Sequence, residues 1–206
     1  MRDRNIAASF SEQVYARLAR GELRGRMLEH ARTPAVLRIL GFPSLPLAMT
    51  PGVLSKIASG KNGGRAPLTL RQIATLPELL DEAAAVFLQE DGSSVIVLST
   101  ECDSDDKPIV ICVRPDVRDG VRFVNLIATA FGKDNAESWA ARHMHALRYA
   151  GEKTNPRLPL PGLIYHQTGA RETEGSRRKI LGPEDLRKFK AAARVALPLR
   201  NIPQTR

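Results

Sequence analysis

Lys133 closes the run Val124-Asn125-Leu126-Ile127-Ala128-Thr129-Ala130-Phe131-Gly132, and Asp134 and Asn135 follow it. An ammonium at a strand end, beside a glycine that lets a ligand backbone approach, is suited to stabilising a phosphate. The same setting suits a surface lysine in a turn. Thr129 lies four residues earlier and Asn125 four before that. The two-residue strand period puts Thr129 and Asn125 on one face, which Lys133 joins if the strand continues. The Thr129 hydroxyl can bind phosphate or position a nucleophile, or it is simply a β-branched strand residue. Asn125 either orients a ligand or ties down a loop. Lys56 and Lys61, on an earlier helix and at its exit, are further phosphate candidates, with a solvated helix face as the alternative for Lys56. Arg114, Asn135 and Arg148 add donors near the same strands. His143 and His145 have the side chain suited to acid–base work near neutrality. Two residues apart on a predicted helix, they point in different directions, so at most one faces a cleft, with His143 the first choice. His166 is a weaker candidate, and Arg177-Arg178-Lys179 reads as a phosphate-positioning arm, with Arg178 at its centre.

The elements that must position these groups change character along the chain. Helices come first. Ser9 and Glu12 have capping-box spacing and predict a helix to about Arg32. Ala35–Leu40 is a short apolar helix, and Gly41–Pro46 an extended entry to the main domain. Thr50-Pro51 starts a helix that ends by Gly60, residues 61–67 form a loop, and Thr69 with Gln72 opens a helix through Leu80 that Pro77 divides. Strands follow, over Ala84–Gln89, Ser93–Thr100, Pro108–Val113 and Val121–Phe131, the middle two joined by an acidic turn. A helix over Ala136–Ala146 carries Trp139 inward, capped by Asp134 or Asn135. Arg148-Tyr149-Ala150 is too short to assign. Leu163–Gln167 reads as an edge strand, Gly169–Lys179 as flexible, and Pro183–Val195 as a basic helix. Helices and then an antiparallel meander make an α+β fold. Domain limits fall at 1–40 (a basic helical extension), 41–170 (the α+β body) and 171–206 (a basic arm and helix).

The net charge is +9 over 206 residues, and its distribution is uneven. Residues 1–40 carry +4 and residues 171–206 carry +6, which leaves −1 for the middle. Basic arms flanking a neutral body attract polyanions, chiefly phosphate backbones, without reading sequence. A solvated surface, or arms that dock an acidic protein, is the alternative. No apolar run is long enough for a membrane span, and the N-terminus lacks the apolar stretch of a secretory signal. Cys102 and Cys112 flank the acidic turn. Pairing Cys102 with the residue near Pro108 would set Cys112 opposite the residue near Leu98, so free thiols in a reducing cytosol are expected. No Cys/His cluster has zinc spacing, and no carboxylate cluster suits two-metal catalysis.

The phrases LPLAMTPGVLSKI at 45–57, LPELLDEAAAVF at 76–87, the VIVL/PIVICV hairpin, VNLIATAFGKDN at 124–135 and ALRYAGEK at 146–153 occur in a telling order. LPLPGL at 158–163 and KILGPEDLRKF at 179–189 continue it. In this order they resemble the C-terminal nuclease module of MuF-type and other polyvalent proteins of phages and conjugative elements. That module is a toxin domain of the barnase–EndoU–colicin–RelE-like superfamily. The resemblance spans about residues 40–190, and VNLIATAFGKDN is its most specific block. It implies a metal-independent ribonuclease toxin with no cofactor, acting on RNA, tRNA included, in the bacterial cytoplasm and held in check by an immunity or antitoxin protein. Such chemistry needs a base for the 2′-OH, a cation for the phosphorane and an acid for the leaving 5′-oxygen, and it yields a 2′,3′-cyclic phosphate. Lys133, Thr129, Tyr149, Lys56 and His143 are then the catalytic candidates. Asn125, Lys61, Asn135, Arg114, Arg148 and Arg178 are the RNA-binding ones. Phe131 departs from the tyrosine usual in the family, which makes Tyr149 the better phenol, unless it is a core aromatic. Lys61 stands roughly where relatives often have histidine, which favours phosphate contact over general-base work there. These two departures support a competing reading, a catalytically inactive RNA- or protein-binding module. A phage or conjugation accessory protein on the same fold is a third.

Overall fold

Ser9 and Glu12 exchange hydrogen bonds, the Ser9 N–H donating to the carboxylate at 2.6 Å and the Glu12 N–H to the hydroxyl at 3.3 Å. They open α1 (Phe10–Arg20), which buries Phe10 and Val14. The computed structural model describes residues 8–22, 24–61, 65–89, 91–153, 155 and 180–195. Among these, α1 stops at Gly21, well short of Arg32, and the chain turns back into a short strand, β1 (Leu28–His30). Three residues carry no readable period, which hides such a strand in the sequence. α2 (Ala35–Ile39) and β2 (Leu47–Met49) follow. α3 (Pro51–Ser59) is capped by the Thr50 hydroxyl, which accepts the Val53 N–H. The helix opened by the Thr69–Gln72 box is two helices, α4 (Leu70–Ala74) and α5 (Leu76–Asp81), with Pro77 in the first turn of the second.

The strands β3 (Ala85–Leu88), β4 (Val95–Cys102), β5 (Pro108–Asp119) and β6 (Arg122–Gly132) form the predicted meander. α6 (Ala136–Arg142), a 3-10 turn (Met144–Ala146), β7 (Leu147–Ala150) and α7 (Pro183–Val195) are the remaining elements among the described residues. The seven strands run β1-β2-β6-β5-β4-β3-β7. Every neighbouring pair is antiparallel except β2 with β6. The fold is α+β, as the order of helices and strands requires.

Alternation along the strands builds two unequal faces. Val95 and Val97 of β4, Ile109, Ile111 and Val113 of β5 and Ile127 of β6 point to one side. There α1 to α5 and Leu186 of α7 complete the main core. Phe87, Leu98 and Val110 point to the other side, where Ala136 and Ala140 of α6 and the turn after it cover them. That smaller layer spans only the β3–β4 side, so Cys112, Thr129 and Phe131 on the central strands stay half-buried. A limit near residue 40 does not divide this body, because Phe10, Val14, Leu28, Val36 and Leu37 all lie in the main core. Leu163–Gln167 and residues 169–179, with His166, Arg177, Arg178 and Lys179, lie outside the described residues.

Candidate phosphate-binding face

β6 holds a register irregularity that decides which residues share the half-covered face. Cys112 opposes Thr129, but Val113 opposes Ile127, so Ala128 is an extra residue. A bulge of this kind reverses the alternation. Thr129 and Phe131 therefore face away from α1 to α5, on the side of α6, whereas Asn125 faces towards α1 to α5. The strand ladder then runs on, the Lys133 N–H donating to the Pro108 carbonyl at 2.9 Å, which keeps Lys133 on the Thr129 side. The expectation that Thr129 and Asn125 share a face fails at this bulge.

Asn125 is fully buried. Its amide donates to the Thr33 hydroxyl at 2.8 Å and the Pro43 carbonyl at 2.9 Å, and its oxygen accepts the Asp116 N–H at 3.2 Å. Of its two readings it takes the loop tie, and it does not reach a ligand. Tyr149 is likewise a core aromatic, 4% exposed among the residues packed under the helices. Burial pushes its phenol pKa up, and Glu152 adds to this. Neither residue serves the half-covered face. Gly132 also has a different reason from the expected one. A Cβ there would collide with the Asp103 carboxylate, so the glycine admits the acidic turn rather than a ligand. Asp103 accepts the Asp105 and Lys107 N–H groups at 2.9 Å and shapes that turn. Lys107 then pairs with Asp134 at 3.0 Å and Asp105 at 3.3 Å. These ties pin the segment that carries Lys133. The hydrogen bond from Lys107 holds the Asp134 carboxyl below its ordinary range, and the same bond raises Lys107.

Three cations act on the face that Thr129 occupies. Arg65, absent from the sequence-based candidates, lays its guanidinium over the Phe131 ring at 3.5 Å. Gly60 adopts φ 66°, and a Cβ there would stand 2.6 Å from the Arg65 carbonyl. The Leu68 N–H donates to the Ile57 carbonyl. Arg114 is exposed one residue beyond Val113 on β5. Lys133 sets its ammonium 5.5 Å from the Trp139 ring centre. The positive charges of Arg65, Arg114 and Lys133 all pull down the Cys112 thiol, yet burial outweighs them and pushes it up. Cys112 opposes Ile96 rather than Leu98, because the β4–β5 register shifts between Leu98 and Cys102. Cys102 opposes Pro108 as expected, the two cysteines form no disulfide, and the Cys102 thiol donates to Asn155 Oδ1 at 3.3 Å.

Trp139 joins this face to the histidines. Phe87 meets it edge-on at 5.0 Å, and His143 stacks on it at 4.6 Å with planes 23° apart. His145 follows, 6.1 Å from His143 with planes 26° apart. The expectation that the two histidines diverge assumed a helix through Ala146. α6 ends at Arg142, and the tighter turn after it brings both rings to one cavity of about 400 Å³. His143 Nδ1 lies 2.7 Å from the Trp139 carbonyl. A carbonyl only accepts, so Nδ1 carries the proton and Nε2 is the acceptor of the neutral ring. Arg148 braces this turn, donating to the His145 and Leu147 carbonyls at 2.9 and 2.8 Å. Asn135 is exposed at the α6 N-terminus in a left-handed conformation and makes no side-chain cap. Lys56 is exposed on α3 and Lys61 at its exit, both belonging to the helical layer. Among the described residues no group of His, Cys, Asp and Glu is placed to hold a metal ion. No described helix is long and apolar enough to cross a membrane.

Residues 58–156 match the family model of the phage MuF C-terminal domain, just under half of the chain. The chain is thus similar to a phage-associated domain over the end of α3, the helices α4 to α6 and the strands β3 to β7. Arg65, Arg114, Thr129, Lys133, Trp139 and His143 all lie inside the match, whereas α1, β1, α2, β2 and α7 lie outside it. No curated protein and no solved structure matches the chain.

Proposed function

We propose that this protein is a metal-independent endoribonuclease of the phage-associated toxin type, acting on RNA through the half-covered sheet face. The supporting observation is the gathering of Arg65, Arg114 and Lys133 around Cys112 and Thr129, with Trp139 linking Lys133 to His143. Three cations on a partly desolvated face suit a phosphodiester whose negative charge grows in the transition state. The RNA 2′-oxygen attacks the adjacent phosphorus as His143 Nε2 takes its proton. The bond from phosphorus to the 5′-oxygen breaks in line with the attack, and that oxygen takes a proton from an acid on the opposite side of the phosphorus from His143. The products are a 2′,3′-cyclic phosphate and a 5′-hydroxyl. Thr129 holds a phosphate oxygen or orients the attacking hydroxyl. An immunity protein that blocks this face follows from the toxin reading. The test is incubation of purified protein with total RNA or tRNA in excess EDTA, followed by end-group analysis.

A second reading, an inactive RNA- or protein-binding module, draws on one observation. Phe131 offers no hydroxyl and is roofed by Arg65, while Tyr149 faces the helices. Tight RNA binding without cleavage of any RNA tested would favour it.

A further inference from the structure

The cavity beside the histidines has a chemistry different from the cationic face. Its walls are the flat rings of Trp139, His143 and His145, with Phe87 against Trp139 and the Asp91 carboxylate at the rim. Trp139 and His143 stack on each other with planes 23° apart, and His145 lies 26° from His143, so the wall is a column of near-parallel rings that one unpaired base can extend. Asp91 accepts the Ser93 N–H at 2.9 Å, which keeps its carboxyl below the ordinary range and therefore an acceptor at neutral pH. A carboxylate at the rim repels phosphate and favours a neutral ring that carries N–H donors. Anionic and aromatic parts of one ligand thus have separate places, joined through Trp139, which touches both.

We propose that this cavity is the subsite for one unpaired nucleobase of the RNA strand, stacked on the Trp139–His143–His145 rings with its N–H edge towards Asp91. The proposal rests on the ribonuclease reading for its strand, but the subsite can be tested without cleavage. Trp139 is the single tryptophan of the chain, and in a Lys133→Ala background, which removes its contact with the cationic face, its emission reports on this cavity. The full chain in that background is titrated with guanosine, adenosine, cytidine and uridine, and with ribose 5-phosphate, while emission is recorded. Nucleosides are expected to give a saturable change, and ribose 5-phosphate none at equal concentration. Asp91→Asn keeps an acceptor for Ser93 but loses the charge, and is expected to weaken nucleoside binding about tenfold. It is also expected to alter the base preferred at the cleavage point. An equal response to ribose 5-phosphate, or no nucleoside response at all, overturns the subsite. Saturable nucleoside binding, with no RNA cleavage by the parent chain, upholds the subsite and overturns the ribonuclease reading. RNA cleavage by the parent chain with no nucleoside response, and with the same base preference in Asp91→Asn, does the reverse.

Discussion

Lys133 and Thr129 are side chains that the bulge at Ala128 turns to one face, and their consequences are separable. Lys133→Ala is expected to lower the cleavage rate about 10²- to 10³-fold, the range for losing one preorganised electrostatic partner in a transition state. Its thermal melt should stay close to that of the parent chain, because the ammonium lies on the half-covered face. A rate within threefold of the parent would remove Lys133 from the mechanism. Cys112 provides an independent readout of the same face. Burial raises its thiol above the ordinary range, so alkylation at pH 8 should be slow in the free protein and faster towards pH 10. Bound RNA should slow it further in a Cys102→Ser background, measured by mass spectrometry. Undiminished labelling under saturating RNA would mean that the strand passes elsewhere. Arg65 was not legible as a site residue, because its neighbours in sequence give no sign of which strand its side chain meets. Tyr149 misled for a related reason. A tyrosine in a short strand faces core or cleft according to parity, and the irregular β3–β7 pairing sets that parity.

Elements explain why the same residue types act differently. Most of the fold was readable: both capping boxes, the Thr50-Pro51 helix start and the order of the four-strand meander stand where spacing and β-branching put them, although β5 runs on past the expected end at Val113 to Asp119. The misses came from short or interrupted elements. β1 and β2 have three residues each, and tertiary pairing alone makes them strands. The early end of α6 is the miss that mattered most, since it places both histidines on one cavity. Gly132→Ala tests how the strand end is built. Its methyl group would meet the Asp103 carboxylate, so a loss of about 1–3 kcal/mol is expected in urea unfolding. An unchanged midpoint would show that the acidic turn moves aside freely. The Lys107–Asp134 pair beside it has a defined pH sense. Asp134 has a lowered folded pKa, so its contribution is present above its unfolded pKa and is lost as pH falls through the folded value. Asp134→Asn should therefore flatten the acid limb of melting temperature against pH, as followed by circular dichroism. An identical acid limb in both proteins would mean that the pair does not stabilise the turn.

At the scale of the molecule, one sheet separates a thick helical layer from a thin one, and the gap in the thin layer exposes the cationic face. Charge alone pointed to polyanions but located them on the terminal arms. The fold gives the N-terminal part another role, since Phe10, Val14 and Leu28 belong to the main core. The charged face is made instead from the near-neutral middle, where Arg65, Arg114 and Lys133 come together from three separate elements. Salt dependence should reflect this. RNA affinity should fall with ionic strength, and Arg114→Ala should reduce the slope of log affinity against log salt by about 0.7, as for one lost single-strand phosphate contact. The claim that this face cleaves RNA is tested most directly by incubating wild-type, Lys133→Ala and Thr129→Ala proteins with tRNA in excess EDTA and identifying the new ends. Wild-type protein should leave 2′,3′-cyclic phosphate and 5′-hydroxyl ends, and both variants should be strongly slowed. An inactive wild-type protein across RNA substrates, or variants as active as wild type, would contradict the account.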